Sequence, residues 1–411
     1  MKNIILILIT LFVFASCDLF TGGEGNDTHD QIVISTSGNI ALVGDTVYFY
    51  EEEADTVATT GKPAFLGKKV KDIGYDVVLA ANILAVNVEG HLVHANDIVI
   101  SGNTAYIAYN YAGDPFRGAI QIVDITHKGE PEILQELLLP SMDVNALYVD
   151  GSDLVFGGAA DPDIWGFKSF VAKINTQNIS PTEIAASVTQ LPSHAVTGIA
   201  KKSGSYKITV GAEGGKLVTL SDDFSTQTSM NLPDGRDIEE YQNGVIVIAG
   251  STDHAGTDGK VALIPANDTI SVDIPIADFG SNYHKATIEV FEGTTALLAL
   301  SEAGFKVMNL NNETIIYEAE NPEIEDGLSY TNSVSSDGNL VFSANGEWGF
   351  RVFSVSGKKF DEAILAGYYP YEGITDSSGQ NYSANHVEFK SNHLFVASGV
   401  GGVQVFTLDK K

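Results

Sequence analysis

The chain has 411 residues, 44% of them hydrophobic, with 20 Phe and 16 Tyr: enough for a large packed core, and a composition that excludes disorder. Asp and Glu outnumber Lys and Arg by 53 to 23, a formal net charge of −30. Such a surface repels phosphate backbones and anionic headgroups, so nucleic acid is excluded as a partner, and the single cysteine, Cys17, excludes a disulfide framework.

The first element is a leader. Lys2 precedes an apolar run from Ile4 to Phe14, and the small residues Ala15-Ser16 lead into Cys17. A basic start, a short apolar core and small residues describe a secretory signal. The run has eleven residues, too few to cross a hydrocarbon core, which takes roughly 20. The junction Phe14-Ala15-Ser16-Cys17 resembles the lipobox of bacterial lipoproteins. That resemblance implies cleavage after Ser16, a lipid on Cys17, and membrane attachment through the lipid only. An ordinary signal peptide with an incidental cysteine is the alternative. The expected organisation is a signal peptide over 1–16, an acidic and Gly-rich tether over 17–30, and one folded domain over 31–411. Loss of Lys2 moves the charge from −30 to −31. Once Cys17 is acylated, no thiol remains for metal binding or catalysis. The tether fits the outer membrane of a Gram-negative bacterium, including a placement facing outwards. Asp18, directly after the cysteine, resembles an inner-membrane retention signal, which leaves the periplasmic face of the inner membrane as the alternative.

Beyond the tether a glycine followed by an alternating apolar strand recurs. The copies begin at Gly118, Gly215, Gly259, Gly304, Gly349 and Gly402, separated by 97, 44, 45, 45 and 53 residues. An imperfect copy at Gly166 splits the double gap into 48 and 49. Each copy is preceded by a strand pair such as Asp97–Ile100 with Ala105–Ala108, Ala146–Val149 with Leu154–Phe156, or His386–Phe389 with Leu394–Ala397. Small polar turns join them, for example Ser101-Gly102-Asn103. A fourth strand follows, as in Ile133–Leu137 and Ile364–Ala366. Four short antiparallel strands per repeat predict an all-β fold, a β-propeller. The last copy supplies only three strands, so the ring should close by pairing the two ends of the chain, with Ile83–Val88 as the missing fourth strand. Seven blades are favoured. Eight is the alternative, because Gln31–Ile34 and Thr46–Tyr50 could supply most of a further blade.

The stretch from Gly118 through Ile120-Gln121-Ile122-Val123-Asp124 to Pro131 and Leu134 resembles the LVIVD repeat of bacterial propeller proteins. The other copies keep the glycine and the alternation but lose the aspartate and proline. The resemblance implies the propeller fold over roughly 90–411 and no assigned chemistry.

Four histidines, His94, His194, His284 and His386, fall just before or at the first strand of a repeat, with Asn96, Asn145, Asp237 and Asn332 at similar steps in other copies. First strands line the axis of a propeller, so these side chains could converge at the channel mouth and hold a polar ligand or a metal. Equally, each could cap its own blade by bonding to a neighbouring backbone. His91-Leu92-Val93-His94 has a spacing that points its imidazoles to opposite faces of a strand. Asp222-Asp223, Glu239-Glu240 and Glu51-Glu52-Glu53 read as solvated turns, and 252–259 lacks the acidic pattern of a calcium loop. Aromatic loops around Trp165, Tyr368–Tyr371 and Tyr382 could stack on sugars or grip a peptide, or simply pack a blade. No nucleophile elbow, phosphate loop or dinucleotide fingerprint occurs, so no cofactor is indicated and no catalytic residue is assigned. The expected function is a cell-envelope lipoprotein whose rigid propeller binds a protein or glycan partner. A hydrolase or lyase acting on glycan or peptide at the channel mouth is the alternative.

Overall fold

The computed structural model describes residues 32–36, 38–47, 49, 73–127, 129–211, 214–250, 259–277, 279, 285–321, 330–357, 359–371 and 374–411. In it, seven antiparallel sheets stand around an axis as the blades of a propeller. The signal segment, the tether and Cys17 lie outside the described residues. The first strands of successive blades are His94–Ser101, Ala146–Asp150, Ala195–Lys202, Gly235–Tyr241, Thr287–Phe291, Ser333–Ser336 and His386–Lys390. Each packs on the first strand of the next blade, and that of blade 7 on that of blade 1, so they form the wall of a central channel.

The apolar alternation read from the sequence fills the spaces between blades. There are seven such spaces, each with its own buried cluster, from the one between blades 1 and 2 (Tyr106, Ile120, Leu147, Phe156) to the one between blades 7 and 1 (Val403, Val405, Ile98, Ile107). Between blades 6 and 7 Phe342 meets Phe389 edge-on, with ring centroids 4.9 Å apart. Each such side chain contributes about 1.5–3 kcal/mol by leaving water.

The recurring glycine has a steric cause. Gly349 has φ 99° and Gly402 φ 73°, left-handed backbone that only glycine adopts freely. A Cβ at Gly349 would lie 2.0 Å from the Tyr369 carbonyl oxygen, and one at Gly402 2.1 Å from that of Ile83. At both, the third strand starts hard against the fourth. Gly166 does a different job, ending a short helix, Pro162–Trp165, and the third strand of blade 2 begins only at Ser169. That is why its copy is imperfect. A second short helix, Pro181–Ser187, leads to the fourth strand of blade 2. Its Ser180 Oγ caps the helix by accepting the Glu183 amide, and the hydroxyl donates to the Glu183 carboxylate at 2.9 Å.

Ring closure pairs the two ends of the chain, but through a different strand from the one expected. Tyr75–Ile83, not Ile83–Val88, lies against the last strand, with Tyr75 opposite Lys410 and Ile83 opposite Val403. Nine residues long and bearing buried Val77, Leu79, Ala81 and Ile83, it matches the eight-residue Val403–Lys410. Asn87–Val88 instead folds onto His91–Leu92 as a small hairpin. Of the segments considered for an eighth blade, the described part of Gln31–Ile34 overlaps an outer fifth strand of blade 1, Val33–Ser35, and of Thr46–Tyr50 only Thr46 belongs to a strand, the last residue of Ile40–Thr46, an outer fifth strand of blade 7.

Candidate functional site in the central channel

Register aligns the seven first strands around one buried aliphatic position: Ile98, Leu147, Ile199, Ile238, Ile288, Val334 and Val387. The residue before each, on the opposite side of the strand, gives an outer tier of Asp97, Ala146, Gly198, Asp237, Thr287, Ser333 and His386, of which Ala146 packs between blades 2 and 3 and Gly198 lies against Asp237. The residue after each gives an inner tier of Val99, Tyr148, Ala200, Glu239, Glu289, Ser335 and Glu388, of which Val99, Tyr148 and Ala200 pack into the spaces between blades. Alternation along a strand produces this directly.

Many of these polar side chains hold neighbouring blades together. Asp97 Oδ2 accepts the Leu147 amide (3.0 Å), and Asp237 Oδ2 accepts that of Ile288 (2.9 Å). Glu289 accepts from Ser336 N, Ser333 Oγ from Val387 N, and Ser335 Oγ from Phe389 N (3.0 Å). One step earlier, Asn96 donates to the Val144 carbonyl (2.8 Å), Asn332 to that of Ala384 (3.1 Å) and Asn385 to that of Ala95 (3.1 Å). Bulges at Asn96 and Thr197 turn the side chain towards the next blade, and a third falls at Arg236, which pairs with Asp234. Asn96, Asn332 and Asp237 are therefore ring staples. Asn145 accepts from Asn110 Nδ2 (2.9 Å), another contact between blades.

The three described histidines of the four, His94, His194 and His386, do not converge. His386 points into the channel. His94 begins its strand three residues before Asp97 and packs on the edge of Tyr111 (6.4 Å), whose ring also takes His91 (5.3 Å), so these two imidazoles share one aromatic partner. His194 is exposed, and His284 lies outside the described residues. Among the described residues no three His, Cys, Asp or Glu side chains are placed to hold a metal ion. Trp165 donates to Ser141 Oγ and packs on Phe167, and Tyr371 is buried with its hydroxyl on Ser398 and Gln404; both serve the blades.

The channel holds a charged cluster that the sequence reading did not assemble. Lys285, two residues before Thr287, crosses the mouth from blade 5 and donates to the Asn96 carbonyl of blade 1. Its ammonium lies 3.6 Å from Asp97 Oδ1 and 3.3 Å from His386 Nδ1, while His386 Nδ1 is 3.2 Å from Asp97 Oδ1. Burial lowers the Lys285 pKa against the pull of Asp97 and Asp237. Burial, together with the Lys285 charge, takes His386 down to about 3, so its imidazole is neutral and its contact with Asp97 is a hydrogen bond and not an ion pair. In the inner tier burial dominates. Glu239 rises to about 8, pushed further by Asp237 and Glu240; Glu289 rises well above the carboxylate range, pushed further by Glu388; and Glu388 rises to about 7 against the pull of Lys390. Asp237 rises to about 7 for the same first reason. Water reaches these groups down the bore, but protein surrounds them, so they lose most of their hydration. Glu239 was expected in a solvated turn. It sits mid-strand, and only Glu240 turns away, accepting from Tyr148 OH (3.0 Å). The recurring triplets Asp237-Ile238-Glu239, Thr287-Ile288-Glu289 and His386-Val387-Glu388 were the available signal.

The antiparallel order puts the loops leading into first strands and those between second and third strands on one face, with Lys285. There Trp348 stacks on Tyr368 (centroids 4.1 Å apart), Arg351 lies 5.8 Å from the Trp348 ring, and Asn381 donates to Glu347 (3.0 Å).

These features define a closed, seven-bladed β-propeller with a polar channel. Solved structures share the architecture at low identity. The WD40 repeats of RRP9 align with TM-score 0.57 and 12% identity, over 78% of this chain and 96% of that one. The U3-55K structure aligns with TM-score 0.56 and 12% identity over 78% and 97%, and the WD40 β-propeller domain of Doa1 with 0.52 and 13% over 80% and 97%. At such identities the likeness is one of fold. No protein-family model matches the chain, and no curated protein sequence is significantly similar to it.

Proposed function

We propose that this protein is a non-enzymatic binding scaffold of a bacterial cell envelope, tied to the membrane by lipid on Cys17 and presenting one propeller face to a protein or glycan partner. The observation that carries the reading is the use of channel-wall polar groups as staples between blades. They make the ring a rigid platform and leave recognition to the loops. On that face the half-exposed Trp348–Tyr368 pair, flanked by Arg351, Glu347 and Asn381, offers a stacking surface with polar neighbours, the chemistry that sugars and peptides both use. The lipobox-like junction supports the anchor, and the LVIVD-like stretch at Gly118–Leu134 supports kinship with bacterial propeller proteins. The acidic, Gly-rich tether over 17–30 fits an outer-membrane placement.

The test is crosslinking in intact cells with labelled fatty acid present. Wild type is expected to carry label at Cys17 and to capture a discrete partner. Cys17→Ser should release an unlabelled protein, and Trp348→Ala with Tyr368→Ala should lose the partner while keeping the label. A soluble, unlabelled wild type would sink the anchor; capture indifferent to the aromatic pair would sink the surface.

A further inference from the structure

The blade that closes the ring is built differently from most of the others. Among the described residues the sheets of blades 2 to 6 end at the fourth strand. In blade 7 the fourth strand is Tyr75–Ile83, the one that pairs the two ends of the chain, and a fifth strand covers its outer edge, with Ile40 opposite Ile83 and Thr46 opposite Val78. Only four residues separate this strand from Val33–Ser35, which lies on the fourth strand of blade 1 with Val33 opposite Leu138 and Ser35 opposite Glu136. One continuous segment, 32–49, therefore passes along the outside of the ring from blade 1 over the closing strand.

Its side chains fix it in three neighbouring spaces between blades. Ile32 is buried in the cluster between blades 1 and 2, Ile40 packs against that between blades 7 and 1, and Val43, Val47 and Phe49 enter that between blades 6 and 7. Phe49 is 4% exposed and meets Phe350, on the third strand of blade 6, edge-on with ring centroids 6.0 Å apart. The backbone is tied to the closing strand near both its ends: Leu84 N donates to the Asn39 carbonyl (3.0 Å) and Val47 N to that of Val77 (2.9 Å). Where the segment crosses between blades it is pressed against blade 1, since a Cβ at Gly38 would lie 2.5 Å from Ile133 Cδ1.

We infer that segment 32–49 is a belt that locks the ring. The seam is the pairing of Tyr75–Ile83 with Val403–Lys410. Blade 1 and the closing strand lie on the amino-terminal side of that seam, and Phe350 lies on the carboxy-terminal side, so Phe49 reaches across it. Anchored on blade 1 and on the closing strand, the belt holds the two sides together through the Phe49 plug, and the chain ends part only when that plug is withdrawn. With Cys17 as the single cysteine, no disulfide within the chain can do this job. The belt also moves the free sheet edge one strand outwards, so the strand that closes the ring is an interior strand and is shielded from pairing with other chains. The inference concerns how the ring is held and does not depend on the envelope reading or on its partner.

Hydrogen exchange read by mass spectrometry on the full chain would follow the amides of Tyr75–Ile83 and Val403–Lys410. Phe49→Ala removes the plug and should speed exchange there by at least about tenfold. Phe353→Ala opens a comparable cavity between blades 5 and 6, away from the seam, and should leave those amides within about twofold of wild type. Should either variant fail to fold, Phe49→Leu and Phe353→Leu carry the same comparison. Acceleration at the seam by the Phe49 change, well beyond that from the Phe353 change, supports the belt. Unchanged exchange would show that the chain ends part with Phe49 still in place. Acceleration no greater than that from the Phe353 change would show that the seam opens only when the whole ring unfolds. Either of these results overturns the proposal.

Discussion

The spaces between the blades and the bore they enclose are lined by the same seven strands and follow opposite rules. On the inter-blade side the aligned residues are all aliphatic and all buried: Ile98, Leu147, Ile199, Ile238, Ile288, Val334 and Val387. One residue earlier, on the other side of each strand, the same positions run from Gly198 and Ala146 through Ser333 and Thr287 to Asp97, Asp237 and His386. The first side is governed by packing density, which tolerates only shape-filling apolar groups. The second is governed by local hydrogen bonding, which an aspartate, an asparagine, a threonine or a serine satisfies equally well.

The largest effect should come from breaking the inter-blade side where the chain ends meet. Deleting 400–411 removes the strand that pairs with Tyr75–Ile83 and with it buried Val403, Val405, Phe406 and Leu408. At about 1.5–3 kcal/mol each, these side chains match the whole 5–15 kcal/mol margin of a typical domain. The truncated protein is expected to be unfolded or aggregated at room temperature. A truncated chain melting at the wild-type temperature would show that closure contributes nothing.

Next in size is a single aliphatic on that side. Ile288→Ala opens a cavity between blades 4 and 5 and should cost about 2–5 kcal/mol by denaturant titration. A matched change on the bore side, Glu239→Gln, should move stability the other way at alkaline pH. Glu239, Glu388, Glu289 and Asp237 all have raised pKa values, at about 8, about 7, well raised and about 7. Folded chains therefore hold protons that unfolded chains have released. Stability is fully present below the unfolded carboxylate range and falls as pH rises through about 7 to 8. Lys285, Lys390 and His386 face the same bore, and His386 is neutral in both states above its unfolded value of about 6.5. The window from about pH 6.5 to 8.5 thus reports the carboxylates. Wild type should lose on the order of 1 kcal/mol per group across it, and Glu239→Gln with Glu388→Gln should flatten the loss. An unchanged slope would mean that these glutamates keep bulk hydration.

This contrast explains what the sequence made legible. The glycine period and apolar alternation came from packing, and packing repeats in every blade; hence the propeller, its blade number and closure by the chain ends could be read. The closing strand was misplaced because Tyr75–Ile83 and Ile83–Val88 are both apolar and adjacent, and only pairing with Val403–Lys410 distinguishes them. The bore was read poorly because its residues differ in every blade. Asn96, Asn332 and Asp237 were read as candidates for a site at the channel mouth; in the structure each bonds to the backbone of the next blade. Lys285 stands outside its strand, and no local pattern announces that it reaches across to Asn96. Glu239 was read with Glu240 as a charged turn because adjacent acids usually mark one; on a strand they part company.

The smallest effect separates the histidines. His194 is exposed, and His194→Asn should change stability by less than about 0.5 kcal/mol. His386 sits in the bore beside Asp97 and Lys285, held neutral with its pKa near 3 by burial and by the lysine. A depressed folded pKa contributes stability that is present above the unfolded value of about 6.5 and is lost as pH falls through the folded one. Between about pH 7 and pH 5 this should remove on the order of 2 kcal/mol from wild type and nothing from His386→Asn. The carboxylates gain stability over the same interval in both proteins, so the difference between the two melting curves isolates the imidazole. At pH 7 His386→Asn should be slightly less stable than wild type, and at pH 5 the order should reverse. Parallel curves would mean that His386 protonates in place, with Lys285 moving aside to let it pair with Asp97. The mouth of the channel would then be a mobile contact, unlike the fixed staples that surround it.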